Sequence, residues 1–264
     1  MNQLELANQF ALVTGASSGL GADFARQLAA RGANLILVAR RKDQLEAVAA
    51  EIAKNHKVSA QTIALDLAVP GAPQVLYDQL QQQGIRVDVL VNNAGFGVYG
   101  DFASVPWERE KAMLDLDIIT LTHMTKLFVQ DMLARKSGYI LQVASIGAYQ
   151  PSPTYATYSA AKAYVLSMGE ALSYELRHSG VSVTVISPGV TATEFLKVAG
   201  QSPSLYQRMM MMDSPSVARI GIDSMLRRRP SVIPGFMNSL AAFSTRLIPR
   251  RWQAALANLF MTRN

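Results

Sequence analysis

The chain has 264 residues, is 50% hydrophobic and 17% charged, carries a formal net charge of +6 and contains no cysteine. A disordered chain is excluded by that apolar share together with nine tyrosines, nine phenylalanines and two tryptophans. Without cysteine there is no disulfide scaffold, thiolate metal site, iron–sulfur ligation or cysteine nucleophile, and His56, His123 and His178 are too far apart in sequence to read as a metal site. Any catalysis must therefore use hydroxyls, lysine, carboxylates or a bound cofactor.

The positive charge is uneven. From Lys197 onward ten Lys and Arg face only Asp213 and Asp223, whereas residues 1–196 carry fifteen basic and seventeen acidic side chains. The basicity belongs to the C-terminal quarter, and no recognition motif accompanies it, so nucleic acid is not an expected partner. Residues 1–10 lack a signal-peptide layout, and no run of about 20 apolar residues offers a spanning helix. The expected compartment is the cytoplasm.

Apolar runs and helical patterns alternate along the chain. Phe10–Thr14 reads as a buried strand ending at Gly15, then Leu20–Arg31 as a helix stopped by Gly32. Asn34–Val38 is the next strand, Asp43–Lys54 a helix, Val58–Leu65 a strand, Gln74–Gln83 a helix and Val87–Val91 a strand whose Asp88 is expected at the rim. One long helix over Glu108–Ala134 precedes a strand over Gly138–Ala144. A second long helix, Tyr158–His178, precedes a strand over Val181–Ser187. This alternation predicts an α/β fold, a single-domain, doubly wound, Rossmann-type parallel sheet with helices on both faces. The core falls at about 8–195 and the chain forms one domain over 1–264. Past Gly189 the pattern loosens around five prolines, as in loops that carry specificity.

Between the first strand and first helix lies Thr14-Gly-Ala-Ser-Ser-Gly-Leu-Gly21. Gly15 suits a tight turn, Gly19 a close approach of backbone to a pyrophosphate, and Gly21 close packing of helix on strand. The helix N-terminus, from Leu20, supplies free N–H groups for phosphate. Glycines that merely permit a turn are the alternative. The second strand ends Val38-Ala-Arg-Arg-Lys42, with no acid until Asp43. NAD sites place an acid there for the ribose 2′-OH. Adjacent cations pair instead with a 2′-phosphate. Arg40 is the first candidate, with Arg41 beside it and Ser17 or Ser18 as a hydroxyl donor, and the expected cofactor is NADP(H).

Tyr158 and Lys162 stand at i and i+4, on one face of the predicted helix. An ammonium one turn away favours the phenolate and lowers the phenol's pKa toward useful acid–base chemistry. Ser145, just past the Gly138–Ala144 strand, sits at the sheet edge where open α/β folds bind ligands, placed to steady a developing alkoxide. Tyr155 is the weaker candidate, because its i+4 residue is the uncharged Ser159.

These motifs, with Asn92-Asn-Ala-Gly95 and Pro188-Gly189…Thr193 in the same order, resemble the short-chain dehydrogenase/reductase family over about residues 8–195. The resemblance implies a seven-stranded Rossmann-type sheet, a nicotinamide dinucleotide and hydride transfer at a carbonyl or alcohol carbon. By the same resemblance, Asp66 contacts adenine and Asn93, Ala94 and Gly95 line the adenosine–ribose side. Thr193 holds the carboxamide, Pro188, Gly189, Thr191, Tyr158 and Lys162 belong to the cofactor site as well, and a homodimer or homotetramer forms through the two long helices. One departure is visible. Where the family usually carries an asparagine that holds a water in the relay to the lysine, this chain has Asp117. Asp117 is taken as a catalytic candidate able to pair with Lys162.

Residues of about 194–213, with Phe195, Leu196, Leu205, Tyr206 and Met209–Met212, match the family's substrate-covering segment, and four methionines in a row suit a lipophilic substrate. A helix packed on the core is the competing reading. The extension of about 227–264 mixes arginines with Trp252 and Leu256–Phe260, a composition able to lie on an anionic membrane surface. The leading expectation is an NADP(H)-dependent reductase of a small carbonyl compound or dehydrogenase of the alcohol. The alternatives are a dinucleotide-binding sensor or scaffold with little turnover and a membrane-surface interaction module.

Overall fold

The computed structural model describes residues 5–201, 208 and 210–262, and of residues 260–262 the backbone alone. Seven parallel strands form one sheet in the order β3-β2-β1-β4-β5-β6-β7. They are β1 (Phe10–Thr14), β2 (Asn34–Ala39), β3 (Ala60–Ala64), β4 (Val87–Asn92), β5 (Gly138–Val143), β6 (Val181–Ile186) and β7 (Ser231–Val232). The chain winds outward from β1 to β3, then returns to place β4 against the other side of β1. That reversal opens a crevice at the C-terminal ends of β1 and β4, where folds of this kind bind ligands.

Successive side chains of a strand point to opposite faces, and the sheet shows why its strands are apolar throughout. Ala11, Val13, Leu35 and Leu37 join one core, against α1 (Gly19–Ala29), α2 (Lys42–Asn55) and α8 (Ser214–Leu226). Leu12, Ile36 and Val38 join the other, against α3 (Ala72–Gln82) and α5 (Leu121–Ala134). Phe24 of α1 is fully buried; truncating such a side chain typically costs about 3–5 kcal/mol. Asp88 is buried at the start of β4. It accepts from the Phe10 amide at 3.1 Å and meets Arg86 at 3.0 Å, a structural anchor at the end of the sheet remote from the crevice.

The long helix expected over Glu108–Ala134 is continuous but not uniform. α4 (Trp107–Leu114) passes through a π-helical stretch, Asp115–Thr120, before α5 begins. A π turn rotates the following residues relative to an α-helical register, and here Asp117 is completely buried. α6 (Ala156–Glu175) is the second long helix. α7 (Phe195–Ala199) is short. The basic extension is not a solvated arm in its second half: it forms α9 (Phe236–Ser244) and α10 (Arg250–Thr262), which return over the crevice. No helix among the described residues is long and apolar enough to cross a membrane.

Candidate active site

The crevice is a cleft of about 700 Å³. Every residue assigned to the cofactor from sequence lines it: Gly15, Ser17, Ser18, Gly19, Leu20, Gly21, Arg40, Arg41, Asp66, Asn93, Ala94, Gly95, Tyr158, Lys162, Pro188, Gly189, Thr191 and Thr193. Ser145 lines it too, and Asp117 lies behind it.

At one end the glycine-rich turn is clamped to the loop after β4. The Thr14 hydroxyl accepts from the amides of Asn93 and Ala94 at 3.0 and 2.9 Å, and the Asn93 side-chain amide donates to the Thr14 carbonyl at 2.9 Å. Gly15 turns with φ +68°. A Cβ on Gly21 would strike the Gly15 carbonyl and come within 2.6 Å of the Asn93 amide nitrogen, so this closeness requires glycine. Ser18 precedes α1 and its side chain leaves the helix's first N–H groups uncapped. Those donors, and the positive end of the helix, fit a pyrophosphate.

The two arginines after β2 diverge. Arg41, rather than Arg40, reaches the turn: its guanidinium donates to Ser18 Oγ at 2.6 Å and Ser17 Oγ at 3.4 Å and meets Glu194 at 3.1 Å. Arg40 is well exposed and lies 3.7 Å from Asp66, whose Oδ1 accepts from the Ala68 amide. Asn92, by contrast, is structural; it is buried and bonded to Thr125 and Gln142.

At the other end, Ser145, two residues past β5, is extended and accepts from the Gly147 amide at 3.1 Å. Burial pushes the Tyr158 phenol above its ordinary value, with the nearby Ser145 hydroxyl opposing and the Asp117 charge reinforcing the rise. Lys162 Nζ lies 5.7 Å from the Tyr158 ring centre, donates to the Val143 carbonyl at 3.1 Å and stands 3.0 Å from Asp117 Oδ2. The lysine charge stands close to the ring and is paired with Asp117, while desolvation is the largest influence on the tyrosine in the cofactor-free protein. Asp117 Oδ1 accepts from the Phe96 amide at 3.2 Å, and burial raises its carboxyl against the pull of Lys162.

Aromatic rings wall the reacting end. Tyr158 packs on Phe195 at 5.4 Å and on Tyr155 at 5.7 Å, and Tyr155 on Tyr99 at 5.3 Å. Tyr155 is a wall residue, buried and donating to Gln201 at 2.8 Å. Phe195, Leu196, Val198 and Met210 also line the cleft, as expected of the covering segment, while Leu205, Tyr206 and Met209 lie outside the described residues. Sequence reasoning missed the opposite wall, which α9, α10 and the turn between them supply through Asn238, Ala242, Leu256 and Ile248.

The model of the short chain dehydrogenase family matches residues 9–203. The chain belongs to that family. Among curated short-chain dehydrogenases, it is 35% identical to a very-long-chain 3-oxoacyl-CoA reductase of Phaeosphaeria nodorum, over 72% of this chain and 57% of that protein. It is 30% identical to a 7β-hydroxysteroid dehydrogenase of Collinsella aerofaciens, over 74% of each. The chain thus spans less than two thirds of the length of the first of these relatives. A solved short-chain dehydrogenase of Sphingobium yanoikuyae in complex with NADPH superposes with TM-score 0.80 at 28% identity, over 90% of this chain and 94% of that one. A 7β-hydroxysteroid dehydrogenase structure superposes with TM-score 0.88 over 98% of this chain and 100% of that one, at 24% identity, which speaks for the fold, C-terminal helices included.

Proposed function

We propose that this short-chain dehydrogenase uses NADP(H) to interconvert a lipophilic carbonyl compound and its alcohol. The observation that carries the reading is one continuous cleft. It joins the glycine-rich turn with Arg41 at one end to Ser145, Tyr158 and Lys162 at the other. The glycine turn and the start of α1 would hold the pyrophosphate, Arg41 with Ser18 the 2′-phosphate, and Lys162 with Tyr158 the nicotinamide side. The NADPH-bound relative supports that choice of cofactor. When bound, the nicotinamide supplies or accepts a hydride.

The chain's own residues handle the proton and the oxygen. In reduction, Tyr158 donates its phenolic proton to the carbonyl oxygen as negative charge gathers there. Ser145 orients the same oxygen. Lys162, anchored on Val143 and Asp117, keeps a positive charge beneath the tyrosine that favours the phenolate left when the proton moves. In oxidation the same atoms run in reverse. Phe195, Leu196, Val198, Met210 and Ile248 favour an apolar substrate, in keeping with relatives named for 3-oxoacyl-CoA and steroid substrates. The exposed faces of α5 and α6, with Leu133 and Tyr174, are where a homo-oligomer would form.

The test is NADPH consumption across ketones, aldehydes, quinones, steroids and 3-oxoacyl thioesters. Turnover of a lipophilic member, with NADPH preferred to NADH, supports the reading. Tight NADPH binding with no turnover of any compound would favour a sensor or scaffold instead.

A further inference from the structure

The two helices that wall the cleft with their inner faces carry a second apolar surface outside. On α9, Asn238 and Ala242 turn inward and are buried, while Phe236, Leu240 and Phe243 fall within about 60° of one another on the opposite side. They are 80%, 49% and 54% exposed, and Leu247, in the turn that follows, is 74% exposed. α10 repeats the pattern: Ala257 is buried, and Trp252, Leu256 and Leu259 form an exposed stripe at i, i+4 and i+7. Single exposed apolar side chains are ordinary. A row this long on two consecutive helices is not.

Charge identifies what covers it. From Ser224 to Asn264 the sequence has seven arginines and no acid. Arg246, Arg250 and Arg251 flank the stripe and are exposed, and among the described residues none of them is paired with a carboxylate. Arg251 lies 5.2 Å from the Trp252 ring, a cation beside an aromatic side chain suited to the headgroup level. A two-fold pairing of this face with a second copy would set arginine against arginine, with no acid in the segment to receive either.

We propose that the outer faces of α9 and α10 dock on an anionic phospholipid bilayer, lying in its interface without crossing it. Leu256 belongs both to this stripe and to the cleft lining, so the docked surface runs up to the edge of the cleft. An apolar substrate dissolved in the bilayer would then meet the cleft without passing through bulk water.

The experiment uses the full chain in a Trp107→Phe background, so that Trp252 is the single tryptophan. Binding to vesicles of phosphatidylcholine alone and of phosphatidylcholine with phosphatidylglycerol is measured by co-sedimentation and by Trp252 emission. Expected is binding to the mixed vesicles with a blue shift of Trp252, weaker on neutral vesicles by on the order of a hundredfold and weakened by salt. The double variant Arg250→Glu/Arg251→Glu should lose that preference. Leu240→Glu/Phe243→Glu should lose binding while keeping its circular dichroism and NADPH affinity. No binding to mixed vesicles at low salt would overturn the proposal, as would equal binding to both kinds. So would a lipid-free dimer that shields Trp252 and that Leu240→Glu/Phe243→Glu dissociates.

Discussion

Lys162 Nζ stands 3.0 Å from Asp117 Oδ2, with both side chains buried, so the lysine beneath the reactive tyrosine is held by an acid. The acid comes from the π-helical stretch between α4 and α5, and the lysine from α6. An asparagine at this position would orient Lys162 without balancing its charge. Asp117 does both.

Replacing the acid by its neutral isostere should therefore change the tyrosine. The Asp117 charge raises the Tyr158 pKa and offsets Lys162. In Asp117→Asn the uncompensated ammonium should lower it, moving the pH–rate profile for alcohol oxidation to lower pH. Superimposable profiles for wild type and variant would show that the charge plays no part.

The same pair predicts a pH dependence of stability. Burial raises the Asp117 carboxyl above its ordinary value despite Lys162. The folded state then binds that proton more tightly than the unfolded state, so stability falls as pH rises from the ordinary carboxylate value to the folded one. Wild type should lose stability relative to Asp117→Asn over that rise, as urea unfolding at a series of pH values would report. A difference that moves the other way would contradict the assigned direction.

Tyr158 should ionise above free tyrosine in the cofactor-free protein, because its hydroxyl is desolvated. Ser145→Ala removes the hydroxyl that opposes the rise and should push ionisation higher still. Alkaline ultraviolet difference spectra, each taken against the same protein carrying Tyr158→Phe, isolate this one phenol. A lower value in Ser145→Ala would refute the sense assigned to that hydroxyl.

Cofactor choice should depend on Arg41 more than on Arg40. Arg41 is oriented by Ser18 and Ser17, whereas Arg40 lies out toward Asp66. Losing a charge-assisted pair to a 2′-phosphate typically costs about 1.5–3 kcal/mol. Arg41→Ala should accordingly lower kcat/KM for NADPH by about tenfold to a hundredfold and leave NADH nearly unchanged. The check is steady-state kinetics with both cofactors on Arg40→Ala and Arg41→Ala, and a larger effect at Arg40 would reverse the assignment.

Gly21→Ala should abolish NADPH binding. The new methyl would meet the Gly15 carbonyl and the Asn93 amide, and both belong to the clamp that shapes the turn. Isothermal titration calorimetry with the dinucleotide decides it, with wild-type affinity as the contrary result.

Much of this architecture is written locally in the chain. β1, β2, β4, β5 and β6 are buried on both faces and so read as short apolar runs, and Tyr158 and Lys162 show their relation within one helical turn. What escaped sequence reasoning depended on distant partners or on too little chain. β7 is two residues long and exists because the Val185 and Ser187 amides donate to Pro230 and Val232. The π turn leaves no mark in the hydrophobic period of Asp115–Thr120, so the depth of Asp117 was hidden. Arg40 and Arg41 differ by one position at a strand end, where successive side chains point to opposite sides. In the C-terminal extension the many arginines mask the alternating burial of α9 and α10, and with it the wall those helices give the cleft.

The central claim is that Tyr158 drives proton transfer coupled to hydride transfer in this cleft. Its most direct test offers a substrate found in the carbonyl screen with NADPH deuterated at the transferring position, and weighs the product. Wild type should place deuterium on the product carbon. Tyr158→Phe, which keeps its ring between Tyr155 and Phe195 and should keep its fold, should bind NADPH yet lose about a hundredfold or more of the rate. Equal deuterium transfer by Tyr158→Phe, or an unlabelled product from wild type, would contradict the account.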